Sequence, residues 1–242
     1  MTKLSGKVAV ITGAGRGLGE ATARELALAG ATVVMCDINK EEIEAAASRL
    51  LEDMPTATVT ARICNVCEEA DCRELLNSTK EQFGRVDILV NNAGVNITAD
   101  IESISVEDWD RTMNTNLRGA FLMSKFVIPI MKNHGGVIVN VVSSLAKRIK
   151  PNSPAYVASK WGLLGFSQVL YMQARQHNIR VTALSPAGMR TRLLLERFPD
   201  LDQDKLLDPA SVAKVIRFIT ELPDEVAIPD LFMMSLKEDT WP

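Results

Sequence analysis

The 242-residue sequence is poor in metal-binding side chains, with two histidines, His134 and His177, and four cysteines. Cys64, Cys67 and Cys72 stand close together, but neither histidine is near them, and a closed zinc site needs four ligands. They read as ordinary thiols, with no metal expected, and four cysteines in this length do not make a secreted disulfide framework. Charge of one sign is lacking too. The 27 Lys+Arg and 30 Asp+Glu residues leave a formal net charge of −3, which excludes the basic footprint of a nucleic-acid binder. No apolar run reaches the ~18 residues of a membrane span. Met1 to Lys7 leads into a short apolar strand without a signal-peptide core, so a cytoplasmic protein is expected. There is no fixed-period repeat, low-complexity tract or linker.

What is present is 47% hydrophobic residues in a length suited to one medium domain with a sizeable core. Short β-branched runs alternate with longer helical stretches. Strands are expected at 7–12, 32–36, 58–63, 86–90, 137–142, 180–184 and 231–235. Helices are expected at 18–29, 40–51, 68–83, 117–133 and from Pro154 onward, the last with Ser153 as N-cap. Continuous apolar strands separated by helices indicate an α/β domain, a parallel sheet covered on both faces.

The first strand runs into Thr12-Gly13-Ala14-Gly15-Arg16-Gly17-Leu18-Gly19 and then directly into a helix. The strict G-x-G-x-x-G spacing is absent; T-G-x-x-x-G-x-G fits instead. Such glycines permit a tight turn and close backbone approach, and the helix N-terminus offers unpaired N–H groups to a pyrophosphate. Asp37 ends the second strand, where a carboxylate accepts from an adenosine ribose 2′-OH and repels a 2′-phosphate. Arg16 argues the other way; Asp37 outweighs it, so NAD is expected over NADP. The alternative makes Asp37 the cap of the next helix.

Tyr156 and Lys160 lie one helical turn apart. A free tyrosine titrates near pH ~10, too high for a general base at neutral pH. An ammonium one turn away, beside an oxidised nicotinamide, is expected to lower it. Alone, Y-x-x-x-K is common by chance; its weight comes from its company.

With these motifs the sequence resembles the short-chain dehydrogenase/reductase family over about residues 5–220. The matching pieces are the Thr12 to Gly19 turn, Asn91-Asn92-Ala93-Gly94, Asn116, Ser143, Tyr156 with Lys160, and Pro186 with Thr191. The resemblance implies a Rossmann-type, doubly wound sheet and NAD(P)-dependent transfer of hydride between a secondary alcohol and a ketone. Tyr156 would be the acid/base, Lys160 would hold the nicotinamide ribose, and Asn116 would support a water-linked relay. Ser143 would hydrogen-bond the substrate oxygen. Counting from Gly136 and from Tyr156 selects Ser143, with its neighbour Ser144 as the alternative.

Cofactor contacts are implied in the turn at Thr12, Gly13, Gly15, Arg16, Gly17, Leu18 and Gly19. Further contacts are implied at Asp37, Asn65 and Val66, at Asn92, Ala93 and Gly94, and at Pro186, Met189 and Thr191, besides Tyr156 and Lys160. Asn91 would help position the adenosine side. Asn65 replaces a frequent aspartate, Ala187 a glycine after Pro186, and Ala146 a glycine after the serine; the C-terminus departs from the common Asp-Gly-Gly-like ending. Two rivals stand beside this reading, a 3-oxoacyl thioester reductase and a non-catalytic dinucleotide sensor.

The segment at about 190–208 occupies the family's substrate-lid position, and its apolar residues suggest a partly hydrophobic pocket. Lys147, Arg148 and Lys150 form a cationic cluster that is either a solvated loop or an attractor for an anionic substrate. Apolar residues on the helices that carry Phe121 and Trp161 suggest a homodimer or homotetramer, since these helices commonly pair between subunits in the family. Trp241-Pro242 would dock on a neighbour or fray.

Overall fold

The computed structural model describes residues 3–238, so Trp241 and Pro242 lie outside the described residues. Seven parallel strands form one sheet: β1 (Val8–Thr12), β2 (Thr32–Asp37), β3 (Val59–Ile63), β4 (Ile88–Asn91), β5 (Gly136–Val141), β6 (Ile179–Pro186) and β7 (Asp230–Met233). Their order is β3-β2-β1-β4-β5-β6-β7, so the winding reverses between β1 and β4. In doubly wound sheets ligands bind at the carboxyl ends of the strands at such a switch point.

Among the described residues the α-helices are α1 (Gly17–Leu28), α2 (Lys40–Asp53), α3 (Glu69–Phe83), α4 (Val106–Met113), α5 (Gly119–Met131), α6 (Pro154–Ala174), α7 (Arg192–Leu195) and α8 (Pro209–Thr220). Side chains alternate across each strand. In β1, Ala9 and Ile11 therefore join the core under α1, α2 and α8, with Leu26, Ile43 and Ile216. Val10 points the other way, to the core with Leu76, Met123, Val127 and Leu170 of α3, α5 and α6. Burial on both faces explains why the strands read as unbroken apolar runs. Among the described residues, no helix is long and apolar enough to cross a membrane.

The structure corrects several sequence expectations. The fourth strand starts at Ile88 rather than Val86, because the buried Asp87 carboxylate accepts the Val8 N–H at 2.9 Å and ion-pairs with Arg85 and Lys7. Three helices lie outside the expected ones, α4, α7 and α8, and the first and last of them carry a side-chain cap. The Ser105 hydroxyl accepts from Asp108 N at 3.0 Å to start α4, and the Asp208 carboxylate accepts from Ala210 N at 2.8 Å to start α8. Residues 114–118 form a π-turn before α5 rather than staying outside or within a regular helix. Ser153 precedes α6 but caps nothing, its hydroxyl being buried without a partner. Asn39, not Asp37, caps α2, accepting from Glu42 N at 2.9 Å.

Candidate active site

A cleft of about 1090 Å³ opens over the carboxyl ends of β1, β4 and β5. One side is the glycine turn between β1 and α1. Thr12 is buried beneath it; its hydroxyl accepts the N–H groups of Asn92 and Ala93, both at 3.0 Å. The Asn92 amide donates back to the Thr12 and Gly13 carbonyls at 2.9 Å each. Turn and β4 loop are thus one hydrogen-bonded unit.

Two glycines are there because nothing else fits. Gly13 has φ +62°, in the left-handed region that side chains avoid. At Gly19 an added Cβ would sit 2.2 Å from the Gly13 carbonyl oxygen. Gly13, Arg16, Gly17 and Leu18 line the cleft, whereas Thr12, Gly15 and Gly19 shape the turn from behind. Arg16 precedes α1 without a side-chain cap, so the helix's first N–H groups remain available to an anionic acceptor. This cradle fits the pyrophosphate of a dinucleotide.

Asp37 lines the cleft at the end of β2. Its carboxylate is set by the Gly15 N–H at 3.2 Å and the Asn39 N–H at 3.1 Å. The cations nearby are engaged: Arg16 and Arg192 both reach Glu42 Oε1 at 3.1 Å. Asn65, Val66, Ala93 and Gly94 line the next stretch of wall, with Pro186, Met189 and Thr191 opposite. The Asn65 side-chain oxygen accepts from Cys67 N at 3.1 Å, which orients the amide. Asn91 does not reach the cleft. It is buried, donating to Asn140 at 2.8 Å and Ser124 at 3.3 Å inside the α5 and α6 layer. Ala187 has no positive φ; Asn178 is the one non-glycine residue that does among those described.

Ser143, Tyr156 and Lys160 converge on the inner end of the cleft. The first follows β5, and the other two share one face of α6. Lys160 is buried and donates to the Val141 carbonyl at 2.8 Å; burial pulls its ammonium down to about 8. Tyr156 departs from expectation: burial raises its hydroxyl above the usual tyrosine range, while the Ser143 hydroxyl and the Arg197 guanidinium pull it partly back. Lys160 lies 5.6 Å from the ring centroid with its ammonium turned to Val141, so the lowering expected from it is not seen. It is Ser143, rather than Ser144, whose hydroxyl acts on Tyr156.

Asn116 sits in the π-turn, a distortion frequent at functional sites. Its amide clamps the β4 loop, accepting from Val95 N at 2.8 Å and donating to Val95 O at 2.9 Å. A further bond to Ser159 at 3.0 Å ties that loop to α6. Asn116 does not line the cleft; it holds the wall between Gly94 and Lys160, whose ammonium lies 3.8 Å from where a Gly94 Cβ would be.

The cationic cluster is divided by the fold. Lys147 pairs with Asp230 at 2.6 Å and Arg148 with Glu238 at 2.6 Å, leaving Lys150 over the Phe198 ring. Sequence reading missed Arg197, which the segment after Thr191 brings close enough to Tyr156, 41 residues away in sequence, for each charge to act on the other. No local pattern signals that approach. Cys64 and Cys72 lie buried among apolar side chains with Cys36, and hydrogen bonding among these thiols and burial push the first two above the usual thiol range.

The family model described as short chain dehydrogenase matches residues 7–202. A 3-oxoacyl-[acyl-carrier-protein] reductase of Thermotoga maritima is 35% identical over 227 residues, covering 90% of this chain and 91% of the relative. A D-threitol dehydrogenase of Mycolicibacterium smegmatis is 37% identical, covering 96% and 87%. Among solved structures, an alcohol dehydrogenase of Thermococcus sibiricus complexed with 5-hydroxy-NADP superposes with a TM-score of 0.90 at 27% identity, covering 98% and 99%. Sheet order, glycine turn and matched relatives agree: the chain belongs to the short-chain dehydrogenase/reductase family.

Proposed function

We propose that this protein is an oxidoreductase that interconverts a secondary alcohol and its ketone with a nicotinamide cofactor, NAD(H) in preference to NADP(H). The observation that carries the reading is the meeting of Ser143 and Tyr156 in the cleft that the glycine turn opens, with Lys160 buried behind them. A bound nicotinamide would supply the two-electron chemistry, as acceptor of hydride from the carbinol carbon or donor of it to the carbonyl. In oxidation Tyr156 takes the hydroxyl proton, so alcohol and NAD⁺ give ketone, NADH and one proton. In reduction Tyr156 donates that proton to the forming alkoxide. Ser143 donates a hydrogen bond to the same oxygen as charge develops there. Lys160 would hold the ribose hydroxyls of that cofactor, and Asn116 keeps the β4 loop and α6 at their spacing.

The preference for NAD rests on Asp37, fixed by two N–H groups at the end of β2, and on Arg16, drawn away by Glu42. A 2′-phosphate beside Asp37 would add like-charge repulsion. Initial rates of a panel of secondary alcohols, polyols, hydroxy acids and their ketones, run with both cofactor pairs, test this. Turnover is expected with a kcat/KM for NAD(H) about tenfold or more above that for NADP(H). Asp37→Ala is expected to bring the ratio to about one, by removing the carboxylate that repels a 2′-phosphate. A ratio unmoved by the substitution would overturn the assignment.

The free thiols of Cys36, Cys64, Cys67 and Cys72 support a reducing, cytoplasmic setting. Trp161, Val169 and Met172 of α6 and Phe121 of α5 are exposed apolar residues, which supports pairing of these helices between copies. Sedimentation at micromolar concentration is expected to give a dimer or tetramer; a monomer would refute the pairing.

A further inference from the structure

Arg197 and Lys150 differ from the cations around them. Other arginines of the lid are neutralised, Arg190 by Asp208 at 3.0 Å and Arg192 by Glu42 and Glu196. Among the described residues neither Arg197 nor Lys150 meets a carboxylate. Arg197 spends Nη1 on the Asn96 carbonyl, while Nη2 is buried with no acceptor. Both cations rest on one aromatic ring: Lys150 Nζ lies 3.4 Å and Arg197 Cζ 5.6 Å from the Phe198 centroid.

Two positive groups held this close repel each other, and each is partly stripped of water; burial lowers both below their usual ranges, and Arg197 lowers Lys150 further. A structural pair of this kind would be expected to carry its own counter-charge. The cations instead border the reacting groups. Lys150, Asn96, Ser143 and Tyr156 line the same cleft, and Arg197 stands behind that wall, bonded to the Asn96 carbonyl, where its charge still acts on Tyr156.

We propose that Arg197 and Lys150 form an anion subsite beside Tyr156, so that the substrate is a hydroxy acid or oxo acid whose carboxylate lies a few bonds from the reacting carbon. The free Nη2 is a ready donor to a carboxylate oxygen, Lys150 supplies the second charge, and Phe198 keeps both cations in place until the substrate arrives. This rests on the oxidoreductase reading and adds the substrate class to it. Of the cationic loop, only Lys150 is assigned to the subsite.

The test is the initial rate of NADH oxidation, read as KM, with 3-oxobutanoate, 4-oxopentanoate and 5-oxohexanoate and with the methyl ester of each. Hydrogen bonds to charged groups predict that at least one acid has a KM about 10- to 100-fold below that of its ester. Arg197→Met is expected to remove most of that difference while leaving the ester KM within about twofold, and Lys150→Met to remove part of it. Acids whose KM is no lower than that of their esters in the wild type overturn the subsite whatever the variants do. So does an Arg197→Met protein in which both KM values rise alike. Failure of the oxidoreductase reading shows differently, as absence of NADH oxidation with acids and esters alike or as turnover that survives loss of the Tyr156 hydroxyl.

Discussion

Tyr156→Phe is expected to leave NADH binding nearly unchanged while kcat for carbonyl reduction falls by about 10³-fold. The ring keeps its packing on α6, and the loss is confined to the proton donor, a contribution of about 10²–10⁴-fold in general acid–base catalysis. The pH profiles carry the same signature. Burial raises Tyr156 and lowers Lys160 to about 8. Reduction needs the protonated hydroxyl and is fastest below the Tyr156 pKa. Oxidation needs the phenolate and rises with pH through it. In the phenylalanine variant the tyrosine limb is expected to vanish from both profiles. A dinucleotide sensor on this scaffold would bind NADH identically in wild type and variant and turn over in neither.

Gly19→Ala is the second change of large effect, and it acts on binding rather than chemistry. The new methyl would meet the Gly13 carbonyl oxygen at 2.2 Å, Asn92 Nδ2 at 2.7 Å and the Ala14 Cα at 2.8 Å. Two of these atoms are backbone, and the third is the amide that ties the turn to β4. None is the free end of a flexible side chain, so the turn itself must shift. Overpacking of this kind costs about 1–3 kcal/mol and more where backbone is involved. A fall in melting temperature is expected, with NADH affinity reduced about tenfold or more because the displaced turn no longer presents its N–H groups. Calorimetric melting and an NADH titration check both. A variant of native stability and affinity would mean that the turn is not the cofactor cradle.

Legibility in the sequence followed the range of the interactions. The β1–turn–α1 unit is local, its glycines demanded by contacts within one loop and with Asn92, so pattern alone located it. Tyr156 and Lys160 are one turn apart on a helix, and their shared face follows from helical geometry. The helices at 106–113 and 209–220 were equally local, and Ser105, Asp208 and Pro209 were signals available but unread. The Tyr156 environment could not be read, because burial is set by the tertiary fold, and the Lys160 ammonium turns to a carbonyl in β5. Lys147 and Arg148 looked like a free cationic loop until residues 230 and 238 were brought beside them. Arg197 was invisible for the same reason, its effect on Tyr156 arising only when residues 41 positions apart are brought together.

The most direct measurement follows NADH absorbance while ketones, oxo acids and 3-oxoacyl thioesters are offered to the wild type and to Tyr156→Phe under identical conditions. The wild type is expected to consume one NADH per carbonyl reduced with at least one of these classes. The variant, still binding NADH, is expected to consume almost none. Equal consumption by the two proteins, or none by a wild type that binds NADH, would contradict the assignment of Tyr156 as the proton donor of a carbonyl oxidoreductase.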